Sequence, residues 1–232
     1  MERLGVSVSR NMSNSDHQPQ GIRWPVVIGL ALTGLTLATV FALANLKTRF
    51  SSAPTLPVIG TIADFSLTNQ DGRAVSLADL RGKVWVADII FTRCPGPCLK
   101  MTKQMKALQD GLPPGSPTKL VTLTTDADFD TPPVLKAYAE RFQADPQRWT
   151  FLTGTKKDIA NLAIDSLKLT AIEKKPEERE SPQDLFVHST IFVLADKRAQ
   201  LRGVFETTGD GIEPENVKAQ ILAAVKQLER EP

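Results

Sequence analysis

Cysteine and histidine are scarce in this chain. It has two of each in 232 residues, and Cys94, Cys98 and His188 are the only ones outside the N-terminal segment that carries His17. Two thiols cannot form a framework of several disulfides. Three such side chains also fall short of the four ligands of a structural zinc site, so zinc would need a carboxylate to complete its shell. Basic blocks are absent too. The formal charge is +2, and no Lys/Arg cluster of the kind that tracks phosphates occurs, so nucleic acid has no support as a partner. No internal repeat is visible. A single cysteine pair leaves the compartment open, since it serves as a disulfide in an oxidising space or as metal ligands anywhere.

One long apolar run is present. Residues 24–46, WPVVIGLALTGLTLATVFALANL, contain no Asp, Glu, Lys, Arg or His and match the length of a helix that crosses a bilayer core. We read 1–23 as a polar leader, 24–46 as a single transmembrane anchor, 47–60 as a linker rich in Ser, Pro and small residues, and 61–232 as one folded domain. A cleaved signal peptide is the competing reading, with small residues near Ala42 and Ala44 as the cleavage site. The leader is long for that purpose and the apolar run exceeds a usual signal core. Arg3, Arg10 and Arg23 precede the run and Lys47 and Arg49 follow it, a weak bias toward a cytoplasmic N-terminus.

Beyond the linker, strands and helices alternate. Asp71-Gly72 between 65–68 and 74–77 predicts a hairpin. Residues 84–91 are almost continuously apolar, as expected of a strand buried on both faces, and the cysteines follow where it ends. Met101, Met105 and Leu108 at helical spacing predict a helix over 99–109, stopped by Gly111 and Pro113-Pro114. Strands over 119–125 and 149–152, helices over 131–142 and 157–166, a hairpin of 191–194 with 199–205, and an amphipathic helix over 213–228 complete the pattern. The charged, proline-bearing stretch 173–184 reads as a solvated excursion. The fold class is α/β, with a central mixed sheet flanked by helices.

The chemistry rests on Cys94, Cys98 and His188. If their segment is helical, the two cysteines lie on one face with α-carbons roughly 6 Å apart, close enough to form a disulfide or to converge on one ion. A helix N-terminus there would lower the thiol pKa. Two thiolates and an imidazole make a soft, three-donor set that favours monovalent copper. A lone His beside a strand is usually structural, but this one opens a core strand and supplies the further donor that a dithiolate site needs. Met101 and Met105 read as core filler on an apolar helix face rather than thioether ligands. Asp126, Asp128 and Asp130 lack the glycine and distal glutamate of a calcium loop and read as turn and helix-capping residues.

These residues resemble the Sco/SenC family of membrane-anchored copper chaperones. The resemblance runs from Gly60 to the terminal helix through Gly82-Lys83, Phe91-Thr-x-Cys-Pro-x-x-Cys98, Asp126 with Asp130-Thr131, Leu135-Lys-x-Tyr138, Leu152-Thr-Gly154 and His188-Ser-Thr-x-Phe192. It implies a thioredoxin-like fold and an N-terminal anchor with the domain on the periplasmic or intermembrane-space side, which we read as an inner-membrane anchor with the domain in the periplasm. It also implies a copper ion held by Cys94, Cys98 and His188, and a client in cytochrome c oxidase, whose copper centre would be matured. The chain departs from the family pattern at Gly96, where many members carry an acid between the cysteines, at Leu99, where they carry a proline, and at Asp126-Ala127 in place of Asp-Pro. The alternative is a membrane-tethered thiol-disulfide oxidoreductase using the same cysteine pair. Such enzymes space their cysteines by two residues, whereas this chain has three, and only copper binding uses all three groups.

Overall fold

The computed structural model describes residues 24–50, 55–94, 96–181 and 184–232, with the side chains of residues 44–50, 171 and 188 outside the description. The chain divides into two compact units, Met1–Ala53 and Pro54–Pro232. The first contains helix α1, Trp24–Phe50, whose stretch Trp24–Leu43 is long and apolar enough to cross a membrane. It extends past the predicted end of the apolar run because Leu46-Lys-Thr-Arg contains no glycine or proline to stop it.

The second unit runs β1 (Gly60–Thr61), β2 (Ser66–Asn69), β3 (Ala74–Ser76), α2 (Leu77–Leu80), β4 (Trp85–Ile90), α3 (Pro97–Gly111), β5 (Lys119–Thr124), α4 (Pro132–Arg141), β6 (Trp149–Thr153), α5 (Lys156–Ala160), β7 (Ala171–Glu173), β8 (Phe186–His188), β9 (Ile191–Ala195), β10 (Gln200–Glu206) and α6 (Pro214–Arg230). Eight strands form one sheet in the order β1-β10-β9-β4-β5-β6-β2-β3. β4, β5 and β6 are parallel, and the flanking pairs are antiparallel. β7 and β8 form a separate antiparallel ribbon that brackets the stretch 173–184 expected to be a solvated excursion. Three-residue strands with one exposed face carry too little apolar signal to stand out from loop sequence.

Every residue of β4 is buried, as a strand covered on both sides requires. Alternation sends Val86 and Ile90 to one side, where α3 and α6 cover them with Met101, Met105, Leu108, Ile221 and Val225. Trp85, Ala87 and Ile89 go to the other, against Ile159, Leu162 and Leu201. Met101 and Met105 are wholly buried, as core filler should be. The hairpin turn between β2 and β3 is organised by Asn69, whose side chain accepts from the amides of Asp71 and Arg73, with Gly72 at a φ of 75°. The helix predicted over 157–166 is half α and half π. Beyond α5 the chain widens over Asn161–Ser166, with Leu167 N–H donating to the Leu162 carbonyl. The wider turn keeps Leu162, Ala163 and Ser166 buried and lets the Ser166 hydroxyl accept from the Ala63 amide.

The start and end of this unit meet at one guanidinium. Arg202, in β10, is buried and donates to Asp196 Oδ2 at 2.7 Å, to Glu231 Oε2 at 2.8 Å and to the Leu56 carbonyl at 2.6 Å. Asp196 is equally buried, so removing the cation leaves a carboxylate in the core without its counter-charge. Such losses cost about 3–5 kcal/mol. Arg202→Met should lower the unfolding free energy of the full-length chain by about 3 kcal/mol in urea titration; a loss below about 1 kcal/mol would match an exposed ion pair instead.

Candidate metal centre

The cysteines sit between β4 and α3, at the end of the central strand. Phe91 is buried immediately after the strand, and the Cys94 amide turns back to donate to the Phe91 carbonyl at 3.2 Å. Helix α3 starts at Pro97, a position that suits proline because its missing N–H would have no helical partner. Cys98 therefore lies in the first helical turn while Cys94 lies in the preceding loop. The pair is brought together by the turn, not by sharing a helix face over its whole length. Cys94 is half-buried and packs against the α3-side core, and Cys98 is wholly buried. No disulfide joins them, and the two thiols are in hydrogen-bonding contact.

Burial pushes the Cys98 thiol far above its ordinary pKa, and the hydrogen bond and charge of Cys94, together with the charge of Asp88, push in the same direction. The expectation that the helix N-terminus lowers this pKa is therefore wrong for Cys98, because desolvation outweighs the partial charge of one helix end. Asp88 is a wholly buried carboxylate on the α3 side of β4 and accepts from the Thr122 hydroxyl at 2.7 Å. That hydroxyl accepts in turn from Trp149 Nε1 at 2.9 Å. On the other side of the first turn, the Thr102 hydroxyl donates to the Cys98 carbonyl at 2.9 Å and meets the Tyr138 hydroxyl at 2.9 Å, tying α3 to α4. Burial raises the Tyr138 pKa, with the charges of Cys98, Asp88 and Cys94 adding to the shift.

The loop itself is held by the turn that follows β5. Asp130, wholly buried, accepts from the Thr92 amide at 3.0 Å, from the Thr92 hydroxyl and from the Thr124 hydroxyl. Burial raises its pKa against the opposing effect of these bonds. Arg93 donates to Asp126 through Nε at 3.1 Å and through Nη2, and lies 4.0 Å from the centroid of the Phe129 ring. Asp128 is exposed and pairs with Lys156 at 2.8 Å. None of the three aspartates caps α4, whose N-cap is Thr131 without a side-chain cap bond. The turn part of the sequence reading holds, since the Asp126 carbonyl accepts from the Phe129 and Asp130 amides. The capping part does not, because Thr92 and Arg93 engage the carboxylates first. The missed groups left faint marks in the sequence: Asp88 is the only charge in an otherwise apolar strand, and Asp130 and Thr92 both fall within motifs already singled out.

His188 is the last residue of β8, in register with Ala171, and its side chain lies outside the described residues. Its strand is anchored close to the cysteine loop: the Phe186 and Phe91 rings lie 5.1 Å apart, and the Ser189 amide donates to the Thr170 carbonyl at 3.1 Å. Among the described residues, no three Cys, His, Asp or Glu side chains converge as a metal site.

The SCO1/SenC family profile matches residues 57–226. The chain belongs to the SCO1/SenC family. The SCO1 protein homolog of Bacillus subtilis is 36% identical over 140 residues, covering 60% of this chain and 69% of that one. The solved structure of BsSco, a member of the Sco family of cytochrome c oxidase assembly proteins in which a disulfide switch was identified, superposes with a TM-score of 0.60 at 25% identity. It covers 77% of this chain and 99% of BsSco. Yeast Sco1, solved with copper bound, shares the fold with a TM-score of 0.59 at 24% identity over 72% of this chain and 89% of its own. The fold is thus the thioredoxin-like fold of Sco proteins, as the residue resemblance implies.

The two thiols differ in access, burial raises the pKa of the Cys98 thiol, and alkylation rate follows thiolate fraction and exposure. In the reduced full-length chain, iodoacetamide should modify Cys94 at least tenfold faster than Cys98, as read by peptide mass spectrometry of timed samples. Equal rates would mean that the first turn of α3 opens readily.

Proposed function

We propose that this chain is a membrane-anchored copper carrier that binds one cuprous ion through Cys94, Cys98 and His188 and passes it to a copper site of a respiratory oxidase. The observation that carries this reading is the contact between the two thiols at the end of β4, beside the ribbon that ends in His188. Two thiolates and an imidazole form a soft set suited to monovalent copper. Phe186, two residues before His188 in β8, packs against Phe91, which precedes the cysteine loop. Family membership supports both the cargo and the client, and the apolar stretch Trp24–Leu43 supports an inner-membrane anchor. On this reading the domain faces the periplasm, with a polar leader on the other side.

The arrangement suits transfer better than storage. Cys98 is sealed in the core while Cys94 is half-exposed, so a client thiolate reaches the ion from the Cys94 side and replaces that ligand first. Loading displaces the proton that burial holds on Cys98, so alkaline pH favours binding. A second reading, thiol-disulfide exchange with a partner, draws on the same asymmetry. Cys94 would attack a partner disulfide to form a mixed disulfide, and Cys98 would then displace the reduced partner, leaving the Cys94–Cys98 disulfide.

Copper stoichiometry of the reduced full-length chain in detergent separates the two. The carrier reading predicts one tightly held copper per chain, lost in Cys94→Ser/Cys98→Ser and weakened at least a hundredfold in His188→Ala. Binding by His188→Ala as tight as the parent's, or no binding at all, would favour exchange. Competition with a cuprous chelator between about pH 6 and 8 should show affinity rising roughly tenfold per pH unit for each thiol proton displaced. A flat profile would mean that the ion does not reach Cys98.

A further inference from the structure

We infer that Asp130 and Thr92 form a clamp that holds Cys94 against Cys98, making Asp130 a positioning residue for the thiol pair. The inference rests on the reading of that pair as the working site, whether it carries copper or exchanges disulfides.

Thr92, Arg93 and Cys94 tie the cysteine loop to its surroundings, Arg93 through Asp126 and the Cys94 amide through the Phe91 carbonyl. Between the end of β4 and the start of α3, Thr92 gives both its amide and its hydroxyl to the Asp130 carboxylate, one to each oxygen. Asp130 is wholly buried and fixed from its own side: Thr124, the last residue of β5, donates its hydroxyl to Oδ2, and the Asp130 amide donates to the Asp126 carbonyl at 2.8 Å. The Thr124 hydroxyl also accepts from the Asp126 amide at 3.0 Å. Thr124 is in parallel register with Ile90, the last residue of β4, and the Thr125 amide donates to the Ile90 carbonyl at 2.8 Å. A closed circuit thus runs from β4 to β5, through Asp130, and back to the residue two before Cys94. An ionised carboxylate accepts at both oxygens and can take all three donors, which an amide cannot, because its nitrogen would face a donor. Cys98 is secured independently by α3 and by the bonds linking its turn through Thr102 to Tyr138. Without the clamp, Cys94 would sample more positions while Cys98 stayed fixed, and the effective concentration of one sulfur at the other would fall.

The test reads the dithiol–disulfide equilibrium of the full-length chain in detergent, without copper, in glutathione buffers: two glutathione thiols reduce the Cys94–Cys98 disulfide to two thiols as one glutathione disulfide forms. Thr92→Val removes the hydroxyl at nearly constant size, Asp130→Asn removes the carboxylate, and Thr92→Ser restores a hydroxyl. The clamp predicts that Thr92→Val and Asp130→Asn each make the intramolecular disulfide about tenfold less favourable, a rise of about 30 mV in potential, while Thr92→Ser stays within a factor of three of the parent. The same variants should lose cuprous affinity in the same order. Thr92→Val at half-buried Thr92 keeps the test decisive if Asp130→Asn does not fold. A folded Thr92→Val with the parent's equilibrium constant, or equal shifts in Thr92→Val and Thr92→Ser, would overturn the clamp. A parent chain that binds no copper would sink the carrier reading and leave the disulfide measurement to judge the clamp alone.

Discussion

The parallel pairing of β4 with β5 is the constraint on which the working end of this protein depends. Their six-residue register, from Trp85 opposite Lys119 to Ile90 opposite Thr124, ends both strands at the same level. Two loops therefore leave the sheet side by side, one carrying Cys94 and the other the Asp126–Asp130 turn. Ligand sites in parallel sheets collect at the carboxyl ends of strands for this reason: the ladder fixes where the loops begin, and the loops are free to carry chemistry. Burial of β4 on both faces makes that register costly to slip, since a one-residue shift would exchange Val86 and Ile90 for Trp85 and Ile89 on the α3 side.

The same burial sets the character of the thiol pair. A loop of the kind that binds a metal is often open to solvent, but here the core under α3 extends up to Cys98 and includes the rings of Phe91 and Phe186. A low-dielectric wall on one side and water on the other give two chemically identical side chains unequal access, and burial raises the pKa of the inner one, Cys98. The buried polar chain of Asp88, Thr122 and Trp149 lies in that wall and keeps a negative charge beneath the thiols. Burial thereby favours the neutral form of the Cys98 thiol until something cationic or electrophilic arrives from the Cys94 side.

Much of this was legible in the residues. The apolar run before the cysteines, the two methionines facing the core and the Trp149 strand follow from hydrophobic periodicity, which burial enforces over whole segments. The cysteine pair and His188 stood out by rarity. What stayed hidden is what depends on non-local contacts. The β7–β8 ribbon is too short to carry a period, and the π turn at Asn161–Ser166 answers to the Ala63 amide some hundred residues away. Asp130 looked like a helix cap because a capping residue and a loop anchor have the same local sequence, an acid before Thr-Pro-Pro. Only the fold reveals that Thr92 reaches it first. The thiol pKa went astray for a related reason: the helix end is visible in the sequence, but the depth of its burial is not.

The convergence at Arg202 has a mechanical consequence. The segment before β1 hands the Leu56 carbonyl to this guanidinium, while Glu231 and Asp196 hold the same group from the C-terminal end and from the β9–β10 turn. Lys197 adds bonds to the Glu229 and Glu231 carbonyls at 2.9 and 2.6 Å. A pull on the chain entering the domain is therefore taken up at the β10 edge of the sheet, with β9 standing between that edge and β4. The thiols are thereby insulated from strain applied at that edge, and the spacing of the sulfur atoms is set by β4, β5 and the loops that leave them.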